Sequence, residues 1–213
     1  MSQKGKQNLV IHNVEQGTPE WFELRLKYPL TASVAQAIGN QGKGLETLVW
    51  EKLAEKYSQA DKENYSNKDL ERGKELEPIA REMYELETGN KTEVVGFITN
   101  SKISKIGGAS PDGFSEDGLI EIKCFNDAKH FQMIIDSEKF KIESQYIWQM
   151  QMQMLFTERK WCDFVAYCPN FKKSLLVQRI KEDKEMQNKI IEGLKIGEKL
   201  INEIIKKYED TKI

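Results

Sequence analysis

Hydrophobic and polar positions divide the chain into stretches of two periods. From Asp117 to Cys124 they alternate, with Leu119, Glu121 and Lys123 on one side and Ile120, Ile122 and Cys124 on the other, the period of a strand. The apolar side reads as core. Residues 161–167 and 174–180 alternate in the same way, and the apolar runs at 9–11, 93–99 and 107–112 also read as strands. Three of these, at 93–99, 107–112 and around Glu121, follow one another and predict a meander.

Helical spacing marks residues 45–57 (Leu45, Leu48, Val49, Leu53, Tyr57), 69–88, 127–140 and 182–208. A further helix starts at Thr18 as N-cap, with Pro19 in the first turn and Glu20 near the positive end of the dipole, and stops before Pro29. A short helix at 34–38 follows Thr31-Ala-Ser33. Residues 143–157 hold a Gln-Met alternation of period two, but their length and helix-forming residues favour a helix, which puts Gln145, Gln149 and Gln153 on one face. The methionines and aromatics at 146–156 read as core.

Residues 39–44 contain three glycines and read as a flexible loop; the spacing does not fit a P-loop, because neither Ser nor Thr follows Lys43. Residues 58–68 read as a polar connection, and Gly193 and Gly197 as weak points in the last helix. The order of helices, three strands, helix, two strands and helix predicts an α/β fold: one domain over residues 1–213, built on a central mixed β-sheet flanked by helices. The N-terminal helices (18–57) and the C-terminal helix (182–208) pack on that core.

Composition narrows the picture. The chain has 213 residues, 39% hydrophobic and 31% charged, as expected of a soluble globular protein. No apolar run approaches a membrane span and the first residues lack a signal-peptide core, so a cytoplasmic location is expected. Three cysteines without a CxxC pair read as reduced thiols, and the isolated His12 and His130 argue against zinc. The net charge of −2 argues against broad electrostatic wrapping of nucleic acid and leaves room for a local basic channel.

The candidate chemistry lies between Gly107 and Lys123. Asp112 follows a proline, and Glu121 and Lys123 stand two apart on one strand, roughly 6.5–7 Å apart at the backbone, so both heads can reach one point. Should the preceding strand end at Asp112 and turn back, a second carboxylate joins them. Two carboxylates and a lysine suit Mg²⁺ or Mn²⁺ and phosphodiester hydrolysis. The same residues would equally serve as a hairpin with a solvated ion pair worth about 0–1 kcal/mol.

Five motifs in order weigh against that bland reading: Trp21-Phe-Glu-Leu-Arg25 with Thr31-Ala-Ser33; Arg72-Gly73 with Glu77-Pro-Ile-Ala-Arg81; Ser110-Pro-Asp-Gly113; Glu121-Ile-Lys123; and Tyr146-Ile-Trp-Gln149-Met-Gln151. Over residues 18–170 this pattern resembles the phage lambda exonuclease family, alkaline exonucleases of phage recombination within the PD-(D/E)XK nucleases with their restriction-endonuclease-like core. The resemblance implies that Asp112, Glu121, the backbone carbonyl of Ile122 and Glu77 ligate metal, with two ions per site. Lys123 would hold or polarise the attacking water, and Gln149 would approach from the following helix. Arg25, Ser33 and Ser110 would form a pocket for a 5′-phosphate, a guanidinium fork with two hydroxyl donors. Singly, each of these three also reads as an ordinary surface arginine, a helix cap or a turn residue.

The function so implied is Mg²⁺-dependent 5′-to-3′ digestion of one strand of duplex DNA to mononucleotides, leaving a 3′ tail for a single-strand annealing protein, by a ring-shaped homotrimer. Two rivals stay open: a structure-specific or RecB-like nuclease without 5′-end selectivity, and a DNA-binding or scaffold protein with a decayed site.

Overall fold

The computed structural model describes residues 8–59, 68–136 and 140–211. The expected connection at 58–68 therefore lies largely outside the described residues.

Five strands form the central sheet, in the order β3 (Thr92–Glu93), β6 (Gly113–Ser115), β7 (Gly118–Cys124), β8 (Trp161–Tyr167) and β9 (Leu175–Lys181). Strands β7 and β8 run parallel and the other pairs antiparallel, so the sheet is mixed. Two small ribbons stand outside it: β1 (Leu9–His12) pairs antiparallel with β4 (Phe97–Asn100), and β2 (Leu30–Thr31) pairs parallel with β5 (Gly107–Gly108).

The expected strand at 93–99 is thus two strands in two sheets, β3 and β4, parted at 94–96. Gly96 marks the break: a Cβ there would strike the carbonyl oxygens of His12 and Val14, so the chain passes too close to the β1 end for any side chain. The run at 107–112 likewise contributes only β5, outside the central sheet. The expected meander of consecutive strands is not formed: β3, β6 and β7 are antiparallel neighbours, but β4 and β5 lie between β3 and β6 in the chain and pair elsewhere.

Both faces of β7 are covered. Ile120 and Ile122 pack with Ala80 and Tyr84 of α4 (Lys68–Thr88), while Leu119 packs with Met150 and Met154 of α6 (Ser144–Thr157). The side assigned to carboxylate and ammonium is therefore also an interior side, and Glu121 has no solvent exposure. Helix α6 is buried nearly all round, which explains its poor periodicity: Met150, Gln151, Met152, Gln153 and Met154 are all buried.

The remaining helices are α1 (Pro19–Lys27), α2 (Ala35–Asn40), α3 (Gly42–Tyr57), α5 (Asp127–Ile135) and α7 (Lys184–Asp210). Thr18 caps α1 by accepting from the Trp21 N–H. Helix α4 runs unbroken through Pro78. Residues 39–44 are not a loop. Only Gln41, at φ 58°, separates α2 from α3, and Gly39 is a packing contact whose added Cβ would enter the Trp148 ring. Gly193 and Gly197 follow the same logic, for a Cβ on either would strike the Ile38 carbonyl or the Leu30 side chain. They let α7 lie close against α2 and β2, and α7 stays helical through both.

Candidate active site

The hairpin of β6 and β7 builds the centre of the site. Gly113 pairs with Ile120, which sets Asp112, just before β6, beside the middle of β7. Asp112 Oδ2 accepts from the Ile122 N–H at 2.6 Å, so the carboxylate is fixed against the strand that carries Glu121 and Lys123. Asp112 thus precedes its strand, where the sequence had suggested the end of one, and the two carboxylates meet as expected. A Cβ on Gly113 would crowd the Glu93 carbonyl oxygen and the Arg81 guanidinium, which keeps the start of β6 bare.

Glu121 is held by three donors. Lys123 Nζ pairs with Oε1, Gln149 Nε2 donates to the same oxygen at 2.6 Å, and Gln153 Nε2 donates to Oε2 at 2.6 Å. The i, i+4 spacing on α6 explains why both glutamines arrive together. Gln145, one turn earlier, turns away and donates to Glu143. Gln153 was visible as a face-mate of Gln149; that it reaches Glu121 follows only from the packing of α6 over β7.

Electrostatics mark the pair of acids. Burial, then the neighbouring Glu121, push the Asp112 pKa well above the usual carboxylate range, although Lys123 and the Ile122 N–H pull it down. Burial alone would lower the Lys123 pKa, but Glu121 and Asp112 outweigh it and the ammonium is raised. The centre therefore holds two close carboxylates against one ammonium.

Glu77 stands at the margin. Its Oε1 accepts from Arg81 at 3.0 Å, and the same Arg81 nitrogen donates to the Asp112 carbonyl oxygen at 2.7 Å. Glu77 also contributes to raising the Asp112 pKa. It is near the acids but paired, and its side chain is 40% exposed. Among the described residues no group of three or more His, Cys, Asp or Glu side chains forms a ready metal cage. Two convergent carboxylates under positive-charge deficit still fit an ion such as Mg²⁺, which keeps several waters and needs only one or two carboxylates.

The second cluster lies where α1, β2 and the segment before Asp112 meet. Arg25 donates to Ser33 Oγ at 3.0 Å, Ser33 shares a hydrogen bond with Thr31 at 3.1 Å, and Trp21 Nε1 donates to Ser110 Oγ at 3.0 Å. The Arg25 guanidinium lies over the Trp21 ring at 4.5 Å. Arg25, Ser33 and Ser110 are thus brought together, with Trp21 as the link between Arg25 and Ser110. Ser110 is two residues before Asp112, so the clusters adjoin through the chain.

A mixed sheet covered by helices, with one acid before β6 and an acid and a lysine on β7, is the arrangement expected of the restriction-endonuclease-like class. The comparisons bring this to a family. Residues 20–160 match the YqaJ-like viral recombinase domain, and the chain belongs to that family. It is similar to an alkaline exonuclease (LHK-Exo) from Laribacter hongkongensis, at 33% identity over 90% of this chain and 98% of that one, with a TM-score of 0.72. The same exonuclease in complex with dAMP matches at 33% identity over the same shares, with a TM-score of 0.70. A phage related exonuclease from Haemophilus somnus 129PT shares the fold, at 16% identity over 84% of this chain and 96% of that one, with a TM-score of 0.60. No curated protein sequence matches the chain. The protein is a nuclease of the viral recombinase-type alkaline exonuclease family, as the lambda exonuclease resemblance implied.

Proposed function

We propose that the chain is a Mg²⁺-dependent exonuclease that digests one strand of duplex DNA from a 5′ end, releasing mononucleotides and leaving a 3′ single-stranded tail. One observation carries this reading: Asp112, Glu121, Lys123 and Gln149 converge at one strand, and the Arg25 cluster adjoins it through Ser110. The complex of the Laribacter exonuclease with dAMP is in keeping with it, since dAMP is the kind of mononucleotide such hydrolysis yields.

Asp112, Glu121 and the Ile122 carbonyl would hold a divalent ion, Mg²⁺ or Mn²⁺, and Glu77 would contribute to a second. Ions bound there lower the pKa of a water and offset charge on the transition state. Lys123 orients the attacking water and offsets part of the negative charge of Glu121 and Asp112. Gln149 keeps Glu121 in place. Arg25 forks onto the terminal 5′-phosphate, and the Ser33 and Ser110 hydroxyls complete its hydrogen bonding, setting the polarity of digestion and the bond that is cut. A homotrimeric ring around the DNA and a single-strand annealing partner that takes the 3′ tail complete the proposal.

The test is digestion of a linear duplex labelled separately at each 5′ end and each 3′ end, with Mg²⁺ or EDTA, and with 5′-phosphate or 5′-hydroxyl termini. Metal-dependent loss of the 5′-ended strand, faster with phosphate, is the expected result. Cleavage indifferent to the end would favour the structure-specific nuclease, and no cleavage with any divalent metal would overturn the reading.

A further inference from the structure

The most deeply buried polar group beside Glu121 lies outside the residues picked out by motif. Gln153 of α6 has no solvent exposure. Its Nε2 donates to Glu121 Oε2 at 2.6 Å and also lies 3.4 Å from the carbonyl oxygen of Ser110. Its own Oε1 is buried and finds no hydrogen-bond partner among the described residues. An unpaired buried carbonyl calls for a reason. Here it is that turning the amide over would set Oε1 against a carboxylate oxygen, so Glu121 dictates the orientation.

The two oxygens of Glu121 are therefore held in different ways. Oε1 is shared by Lys123 and Gln149, both partly exposed residues, whereas Oε2 is held by a wholly buried amide. Oε1 thus faces the two partly exposed residues and Oε2 the buried amide. The amide that anchors Oε2 also reaches the main chain of Ser110, whose hydroxyl accepts from Trp21 beneath Arg25.

We propose that Gln153 is a positioning residue: it fixes Glu121 through Oε2, turns Oε1 toward Lys123 and Gln149, and ties that carboxylate to the cluster around Arg25. The proposal rests on the reading of Glu121 as a cation ligand given above. It explains how occupation of the end cluster by a terminal phosphate is felt where the bond is cut: a shift of the Ser110 segment moves the amide that sets Glu121.

The experiment compares the wild-type chain with Gln153→Met, which keeps the volume and removes the donor, and with Trp21→Phe, which removes the hydrogen bond to Ser110. Binding of Mn²⁺ alone is measured by calorimetry, and kcat and KM are measured on duplexes with 5′-phosphate or 5′-hydroxyl ends. For Gln153→Met, Mn²⁺ affinity falls about 10- to 100-fold, the range for groups that orient a metal ligand. Its kcat falls with KM little changed, and the ratio of kcat between phosphate and hydroxyl ends drops toward one. For Trp21→Phe, the same ratio drops while Mn²⁺ affinity holds. Wild-type Mn²⁺ affinity and an unaltered kcat ratio in Gln153→Met, with only a lower Tm, would make Gln153 a core filler and overturn the proposal. Should Gln153→Met not fold, an unaltered ratio in Trp21→Phe overturns the coupling. A wild-type chain that cuts nothing removes the nuclease reading itself, and the Mn²⁺ titrations still decide the part played by Gln153.

Discussion

Two carboxylates lie buried on neighbouring strands of the same sheet, and they are treated in opposite ways. Asp163 on β8 is almost fully buried, and its charge is answered in full. Arg179 donates to both of its oxygens, at 2.8 and 2.9 Å, and the Tyr84 hydroxyl adds a third bond at 2.7 Å. Glu121 on β7 is just as buried, but among the described residues its only cation is Lys123, and Asp112 competes for that ammonium. The other two donors to Glu121 are neutral amides. A bidentate arginine and a phenol make a closed, self-sufficient structural pair. Two carboxylates sharing one lysine leave a local excess of negative charge that a divalent cation would relieve. Burial alone does not separate the two acids; incomplete neutralisation does.

The largest contrast should come from removing the cation on each side. Lys123→Ala is expected to bring metal-dependent cleavage down to background while the circular dichroism spectrum and cooperative unfolding persist; near-native cleavage would sink the assignment of the site. Asp163→Ala should behave in reverse. Loss of a hydrogen-bonded buried charge costs about 2 kcal/mol, at the modest end because Arg179 reaches solvent. Chemical denaturation would read that cost, and cleavage per folded molecule should equal wild type. A smaller effect is expected at the adjoining cluster. Arg25→Ala should lower the preference for 5′-phosphate ends about tenfold, equivalent to about 1.4 kcal/mol, with the chemistry on a single bond less affected. Competition between phosphate and hydroxyl ends measures it, and an unchanged ratio would detach Arg25 from end recognition.

The last contrast is one of sign. Burial, and after it the neighbouring Glu121, raise the Asp112 pKa in the folded chain above its unfolded value. Its contribution to stability is full below the unfolded carboxylate pKa and is lost as pH rises through the folded value. Asp112→Asn removes that loss, and its amide oxygen can still accept from the Ile122 N–H. In metal-free buffer the variant should gain in Tm over wild type as pH rises from the acidic range, and the two should converge as pH falls. A gap that widens toward low pH would show that Asp112 is ionised and stabilised instead.

The legible parts of this molecule are those decided by neighbours in sequence. Thr18 with Pro19 fixed the start of α1, and alternation located β7, β8 and β9 to within a residue or so. The motifs gathered Arg25 with Ser33, and Asp112 with Glu121, Lys123 and Gln149, and the structure joins each group by hydrogen bonds. Misreadings arose where a distant segment set the meaning of a residue. Glycines at 39, 193 and 197 looked like flexibility because their reason is the ring or backbone packed against them from elsewhere. The strand at 93–99 looked continuous because the crowding by β1 at Gly96 is a contact across the fold.

The amino-acid order by itself determined which side chains β7 presents to each face, the spacing of the α6 glutamines, and the identities of the acids and the lysine. Those follow from the two-residue repeat of a strand and the near-four-residue return of a helix, which need no tertiary information. Only the tertiary structure decided that both faces of β7 are interior, that Gln153 joins Gln149 on Glu121, and that Asp112 shares the ammonium of Lys123 while Asp163 has a guanidinium to itself. Those outcomes depend on which surfaces pack together, and packing sets the desolvation and the partners that give each charge its energy.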